Sequence, residues 1–369
     1  MKRAALVCVL AAILAACGSS GGHPSAGSAT SSTAAGVSAP TTRPTGKNVT
    51  VRLLTHSSFA ASPGVLADFT KQTGYKVKLV QPGDAGVMVN EAILTKNHPV
   101  GDALFGLDNT FLTRALDAGI FDPYVAKGLD AVPADLQVDP QHRVTPIDES
   151  NVCVVDDASW FGHNGRPPAP TSLDDLVDPR YKNLTVVENA STSSPGLAFL
   201  LATIAAKGDN AWHDYWTALK HNGVRVVDDW TSAYETDFTA GGGNGDRPIV
   251  VSYGSDPAAD VVLSSPHHDT PHVQVVASTC FRQMEFAGVL HNGSNVAGAQ
   301  ALVDFLLTRE FQQDMPLQMY VNPVVSGATL PAVYAKWQVF PPHPYTIDPP
   351  TISANRDTWI KQWVSLMGV

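Results

Sequence analysis

The sequence predicts an α/β protein of two domains joined by extended segments, on three observations. β-rich stretches alternate with helix-patterned stretches of about a dozen residues, and they do so twice, as βαβ units with parallel strands do. Residues 144–155 and 281–289 are extended runs, the first able to leave one domain for another and the second able to carry the chain back. A length of 369 residues with 44% apolar content is enough for two cores.

In order, residues 49–55 alternate and are β-rich, which makes them the first strand. Residues 64–72 set Val65, Leu66 and Phe69 on one helical face and end near Gly74. Residues 76–80 alternate again, 87–96 read as a helix, and 103–106 form a short strand leading to Leu107-Asp108-Asn109. Asn109 or Thr110 caps a helix through Ala118, with Gly119 as its stop. Beyond the first crossing, Thr171-Ser172-Leu173-Asp174-Asp175-Leu176 reads as a capped short helix. The second alternating set comprises strand 185–187, helices 197–206 and 211–220, strand 224–227, helix 232–239 and strand 249–252. Gly241-Gly242-Gly243-Asn244-Gly245 lacks the Gly-Lys-Ser/Thr ending of a nucleotide loop and reads as a turn. Residues 273–277 and 281–289 are extended, whereas 297–307 and 309–315 are helical. The Pro-rich stretch 341–350 is expected to wrap the surface before a final helix at 357–367.

The most pointed stretch is Glu188-Asn189-Ala190-Ser191-Thr192-Ser193-Ser194-Pro195-Gly196. Its four consecutive hydroxyls precede Pro-Gly and an apolar run with helical spacing. Proline is tolerated at a helix start because its missing N–H has no partner there in any case. A preceding Ser or Thr caps the free amides, and those amides with the positive end of the dipole suit an anion. An ordinary well-capped helix is the alternative reading.

The formal net charge of −10 argues against a nucleic-acid partner. Lys2 and Arg3 open the chain, and residues 4–16 are apolar but too short to span a bilayer. Leu14-Ala15-Ala16-Cys17-Gly18 then resembles the bacterial lipoprotein signal, in which the cysteine is lipidated and becomes the new N-terminus. An ordinary cleaved signal peptide is the alternative. Residues 1–17 are thus expected to be the signal. Residues 18–47, rich in Ser, Thr, Ala, Gly and Pro without an acidic residue, form a flexible tether. The folded part is expected outside the cytoplasm, anchored by lipid to the cell membrane. Cys153 and Cys280 then remain for the folded body, and in an oxidising compartment they are expected to pair beside the crossings. A buried free pair is the other possibility.

Several motifs occur in a telling order: Thr55-His56-Ser57-Ser58-Phe59-Ala60, Gly106-Leu107-Asp108-Asn109, Pro146-Ile147-Asp148, Ser193-Ser194-Pro195-Gly196-Leu197, Trp230-Thr231-Ser232-Ala233-Tyr234, Val251-Ser252-Tyr253 and Asn322-Pro323-Val324. Together, from residue 49 to the C-terminus, the chain resembles the thiamine-binding, substrate-binding proteins of ABC importers. The resemblance implies a two-lobed periplasmic-binding-protein fold of the type II-like kind. One lobe would take residues 48–148 and 282–369, and the other 149–281. Ligand would be enclosed between them and delivered to an ABC permease in the membrane. It also implies a monomer that binds without transforming its ligand: no enzyme, no cofactor and no metal.

Thiamine has a flat aminopyrimidine, a cationic thiazolium and a hydroxyethyl arm that bears phosphate in its esters. Trp230, Tyr234, Tyr253 and Tyr320 offer faces for stacking and cation–π contact. Asp108 or Asp148 would hold the amino group or balance the thiazolium. Ser193 and Ser194 would receive the hydroxyl or phosphate, and His56 and Ser57 complete the expected set. Aromatic core and capping aspartates are the plain alternatives.

The sequence departs from the family pattern in places. His56-Ser57 stand where Tyr-Asp is usual, Ser62-Pro63-Gly64 where a Trp is, Glu149 where a tyrosine is, and Tyr320 near an expected Trp. Another small cationic or phosphorylated ligand is therefore a second reading. A ferric-ion binder is a third, although no Tyr-Tyr pair occurs. A secreted hydrolase is a fourth, without a Gly-x-Ser-x-Gly elbow or His-Glu-x-x-His motif to support it. His267-His268-Asp269-x-x-His272, set between prolines, reads as incidental surface histidines on an exposed loop.

Overall fold

The computed structural model describes residues 49–369, apart from 243 and 265. The expected signal segment, Cys17 and the tether lie outside the described residues.

The first lobe opens with β1 (Thr50–Thr55), α1 (Pro63–Thr73), β2 (Lys76–Val80), α2 (Ala85–Leu94), β3 (Ala103–Asp108) and α3 (Leu112–Asp117). β1 lies between β2 and β3 and is parallel to both. Pro63 occupies the first turn of α1, and Gly74, at φ 79°, ends it. After the two-residue β4 (Phe121–Asp122), the chain enters β5 (Thr145–Asp157) and crosses to the second lobe. That lobe holds β6 (Thr185–Glu188), α4 (Ser194–Lys207), α5 (Trp212–His221), β7 (Arg225–Val227), β8 (Ile249–Tyr253) and α6 (Asp256–Leu263). The return is β9 (Val273–Leu290), followed by α7 (Val296–Leu306), α8 (Arg309–Gln318), β10 (Asn322–Pro323), α9 (Ala332–Trp337) and α10 (Pro349–Met367).

The strands form a single sheet in the order β2-β1-β3-β9-β5-β8-β6-β7, with β10 on β5 and β4 on β9. β5 and β9 pair antiparallel from Thr145 opposite Ala287 to Asp157 opposite Val273. The two extended segments expected at 273–277 and 281–289 are therefore one strand. Val152 faces Phe281 and Val154 faces Val276, so residues 277–280 bulge out opposite Cys153. Thr279 pins the bulge, its hydroxyl accepting from the Val154 N–H (2.9 Å) and donating to the Val276 carbonyl (2.7 Å). At the same place Cys153 and Cys280, both fully buried, are joined by a disulfide.

Local chemistry explains where element boundaries differ from expectation. The final helix starts at Pro349, earlier than expected. Asp348 caps it, accepting from the Thr351 N–H, and both prolines sit in the first turn, where they forfeit no hydrogen bond. α6 carries Pro257 in its first turn for the same reason, and neither it nor α9 was anticipated. The helix expected at 171–176 is a single 3₁₀ turn, Asp175–Val177, preceded by Thr171 and Ser172 amides that donate to the Asp175 carboxylate. The helix expected at 232–239 is a wide π-helical turn, Ser232–Asp237.

One core lies on the first lobe around Phe69, Phe105, Phe305 and Phe311. A larger one includes Trp212, Trp216 and Trp363. α10, from the stretch expected in the first lobe, packs on both halves. Trp363 meets Trp216 of α5 edge-on (5.3 Å), Lys220 donates to the Leu366 carbonyl (2.7 Å), and Ser353 reaches Asp117 of α3 (3.3 Å). Among the described residues, no helix is long and apolar enough to cross a membrane.

The disulfide closes a sequence separation of 127 residues, so removing it frees a large unfolded-state ensemble. Replacing both cysteines (Cys153→Ala with Cys280→Ala) is expected to cost about 2–5 kcal/mol, lowering the guanidinium midpoint without changing the native circular dichroism. An unchanged midpoint would show that the β5–β9 pairing does not depend on the bond.

Candidate functional site

The topology aims strand ends at one place. β3 is antiparallel to β9, β9 to β5 and β5 to β8. Those three reversals make the parallel strands of the two lobes run in opposite directions, so their carboxyl ends meet at the junction. Ligands in α/β folds sit outside the carboxyl ends of parallel strands, where loops rather than neighbouring strands follow. Here β1 leads to His56 and Ser57, β2 to Asp84, β3 ends in Asp108, β6 leads to Ser193 and Ser194, β7 to Trp230, and β8 ends in Tyr253. A cavity of about 700 Å³ lies among them.

One wall is aromatic. Trp230 and Tyr234 stack on each other at 5.0 Å and 13°, and Tyr253 tilts against Trp230 at 6.4 Å. The π-helical turn places the two stacked rings, and the Trp230 ring N–H is fixed by donating to Ser252 Oγ (2.9 Å). Tyr234 is buried behind its partner, which leaves the half-buried Trp230 as the available face. Tyr320 closes the wall from the first lobe. Its φ of 61° is unusual for a bulky residue, and its carbonyl accepts from Ser255 Oγ at 2.5 Å across the junction.

The floor is acidic. Asp108, Glu285 and Asp148 stand side by side on β3, β9 and β5, all buried. Burial pushes Asp108 up to about 6, with Glu285 acting in the same direction, even though the Ser194 hydroxyl and the Thr110 N–H donate to it. Burial, then Glu285 and Glu149, raise Asp148 well above the usual carboxylate range. Burial also takes Asp256 up to about 7, against hydrogen bonds from Ser252 and the Tyr253 N–H. Asp84, which caps α2 by accepting from the Ala85 N–H (2.8 Å), is raised by burial despite the opposing charge of His56. His56 is the one basic side chain among the cavity's described lining residues. Burial lowers its pKa, but Glu285 (3.8 Å from Nε2), Asp84 and Asp108 outweigh that and hold it above its ordinary value. The ring fits only because position 106 is glycine at φ 93° in the β3 bulge: a Cβ there would lie 2.1 Å from His56 Cδ2.

The lobes touch through this site. The Gly86 N–H donates to the Thr192 carbonyl (2.9 Å), Ser194 donates to Asp108, and the Trp230 N–H reaches Asp84 (3.4 Å). A Cβ on Gly86 would stand 2.7 Å from the Ser191 carbonyl oxygen, so the close approach requires glycine.

Of the residues expected from sequence, His56, Ser57, Ser194, Trp230, Tyr234, Tyr253 and Tyr320 line the cavity. Asp108 lies one step behind, covered by the Ser194 hydroxyl, and Ser193 is fully buried on the Asp84 side of the helix start. Asp148 is deeper still, its carboxylate oxygens without a hydrogen-bond partner among the described residues. Sequence reasoning missed Asp84, Asp256 and Glu285. Asp84 had a readable signal, an Asp directly before a helix. Glu285 had none, because it sits inside a strand and faces the site only through the β3–β9 register.

Over residues 102–339 the chain matches the bacterial extracellular solute-binding protein family, and it belongs to that family. It is 26% identical over 326 residues to a thiamine-binding periplasmic protein of Brucella suis biovar 1 (strain 1330), covering 86% of this chain and 91% of the relative. A thiamine-binding periplasmic protein of Escherichia coli (strain K12) is 26% identical over 314 residues, 84% of this chain and 90% of that one. The solved structure of a periplasmic thiamin binding protein superposes with a TM-score of 0.76 at 24% identity, over 88% of this chain and 98% of that chain. The last is a likeness of fold, and the fold is that of two-lobed periplasmic binding proteins.

The raised groups set a sign for stability. Asp108, Asp156 and Asp256 have folded values of about 6, 7 and 7, above their ordinary 3.8, and His56 is also held above its ordinary value. Each such group stabilises the fold when protonated, and that stabilisation is lost as pH rises through its folded value. The ligand-free protein is therefore expected to melt at a higher temperature at pH 5 than at pH 8, with Asp108→Asn flattening the slope. Thermal unfolding followed by circular dichroism checks this, and a midpoint that rises with pH over that range would contradict it.

Proposed function

We propose that the protein captures thiamine outside the cytoplasm and hands it to an ABC permease. One observation carries the reading: the half-buried Trp230 indole stands over a cavity whose ionisable lining residues, among the described residues, include Asp84, Glu235, Asp256, Glu285 and His56 and no Lys or Arg. An aromatic face above buried carboxylates suits a flat cation, through cation–π attraction and charge balance at low dielectric. The names of the relatives point the same way. With no Lys or Arg lining the cavity and Asp108 behind Ser194, the site favours free thiamine over its phosphate esters. Ferric iron is the weaker reading, since burial and then neighbouring acids raise Tyr234 and Tyr253 and oppose the phenolate form that a hard cation needs. The protein acts as a monomer that binds without chemistry, and opening about β5 and β9 admits the ligand.

Titration calorimetry tests the reading. Thiamine should bind one per chain, its monophosphate about tenfold or more weakly, because an unpaired anion would face the acidic floor. Trp230→Ala should weaken thiamine binding by roughly tenfold to a hundredfold through lost stacking and apolar burial. Affinity should rise from pH 5.5 to 8 as Asp108 and Asp256 ionise. Unchanged affinity in Trp230→Ala would place the ligand elsewhere, and tighter binding of the phosphate would reverse the charge assignment.

The anchoring is part of the same proposal. Cys17 follows small residues at the end of a short apolar run, so acylation there would hold the mature chain at the membrane. Cys17→Ala should release the protein into the soluble extracytoplasmic fraction. Retention in the membrane with an unaltered mass of the processed end would refute the anchor.

A further inference from the structure

Outside the cavity, the turn between α6 and β9 brings together three ligating groups within twelve residues of one another. Asp260, on α6, lies against the loop before β9 that carries His268 and His272. One ligand atom from each of the three lies within 4.8 Å of the others. His268 Nε2 is 3.6 Å from Asp260 Oδ1, close to the edge of about 3.3 Å of a tetrahedron with arms of about 2.0 Å. The two imidazoles are stacked, with ring centroids 3.9 Å apart at 26°, so the exposed His272 ring would turn about its side-chain torsions for both to share one ion.

Two further features distinguish the cluster from histidines scattered on a surface. His268 Nδ1 is buried without a partner, and Nε2 makes no hydrogen bond among the described residues. Nε2, 3.6 Å from Asp260 Oδ1, is therefore the nitrogen free to ligate, and ligation there would leave the hydrogen on Nδ1. The backbone is also held in place. The His272 N–H donates to Asp260 Oδ2 (2.6 Å), the His268 N–H to Ser264 Oγ (3.1 Å), and the Ala158 N–H to the His272 carbonyl (2.8 Å). The Asp260–His272 bond orients the carboxylate from behind and leaves Oδ1 toward His268, as an outer hydrogen bond orients a metal ligand.

We propose that Asp260, His268 and His272 form a divalent-metal site, and that the ion it takes is zinc. Two imidazoles and one carboxylate with a fourth position open to solvent form a borderline donor set that suits Zn²⁺ and disfavours Mg²⁺ or Ca²⁺, which call for oxygen ligands. The exposed edge at His272 gives the ion its entry. The ion would tie α6, whose Ala259 and Leu263 line the cavity, to the start of crossing strand β9. Its effect would thus be to stiffen the outer flank of the cavity wall. His267 and Asp269, both exposed and 3.3 Å apart, stay outside the site.

The test uses the full chain without a polyhistidine tag, stripped with chelator and titrated with ZnCl₂. One equivalent is expected to bind, and excess zinc should raise the thermal midpoint, because an ion that binds only the folded state stabilises it by mass action. Cobalt in its place should give the intense visible absorption of a tetrahedral site. His272→Ala, an exposed position that does not threaten folding, should weaken zinc binding by about tenfold or more and abolish the thermal shift, as should Asp260→Asn. His267→Ala should leave both unchanged. No zinc uptake by the unaltered chain, or uptake that survives His272→Ala, or equal loss in His267→Ala, would each overturn the site.

Discussion

The antiparallel pairing of β5 with β9 is the constraint on which the rest depends. Neither strand belongs to one lobe. Each forms backbone hydrogen bonds at the centre of a sheet that has parallel strands on both flanks. Because both flanking pairs are also antiparallel, the parallel sets run head to head and their carboxyl ends share one gap. The cavity is thus a consequence of strand direction. The disulfide and the Thr279 bridge sit at the bulge, where the ladder is locally interrupted and loss of register would be least opposed.

That geometry brings carboxylates together at an electrostatic cost. Asp108, Glu285 and Asp148 share one row because register places them there, and isolated buried charge is unfavourable unless it is paired. Proton uptake, the Ser194 and Thr110 hydrogen bonds and the nearby imidazole relieve part of it. A bound cation would relieve more. The same clustering of carboxylates would favour a cationic ligand, a common pattern at binding sites.

Backbone freedom serves the junction at three positions. Gly106 makes room for the His56 ring, Gly86 lets the two lobes meet, and Tyr320 holds a left-handed conformation while it bonds to Ser255. Elsewhere the elements follow ordinary rules of capping and apolar spacing.

Local physics made much of the chain legible in advance. Alternating and helical periodicities located β1, β2, β3, α4, α5 and α7, since side-chain spacing alone decides which face is apolar. The aromatic residues after β7 and β8 and the hydroxyls before α4 stood out because each lies at the end of a readable element. The Pro-rich stretch 341–350 hid the start of α10 at Pro349, because proline breaks a helix interior but is harmless in its first turn, and spacing does not show which applies. The sequence by itself determined the α/β class, the two alternating halves and the stretches that carry aromatic and polar chemistry. Only the tertiary structure decided that Glu285 belongs to the site, that Asp108 stands behind Ser194, and that Asp260 joins His268 and His272. The first two rest on register and on contacts between distant segments, and the third on how the turn after α6 folds back, none of which local spacing reveals.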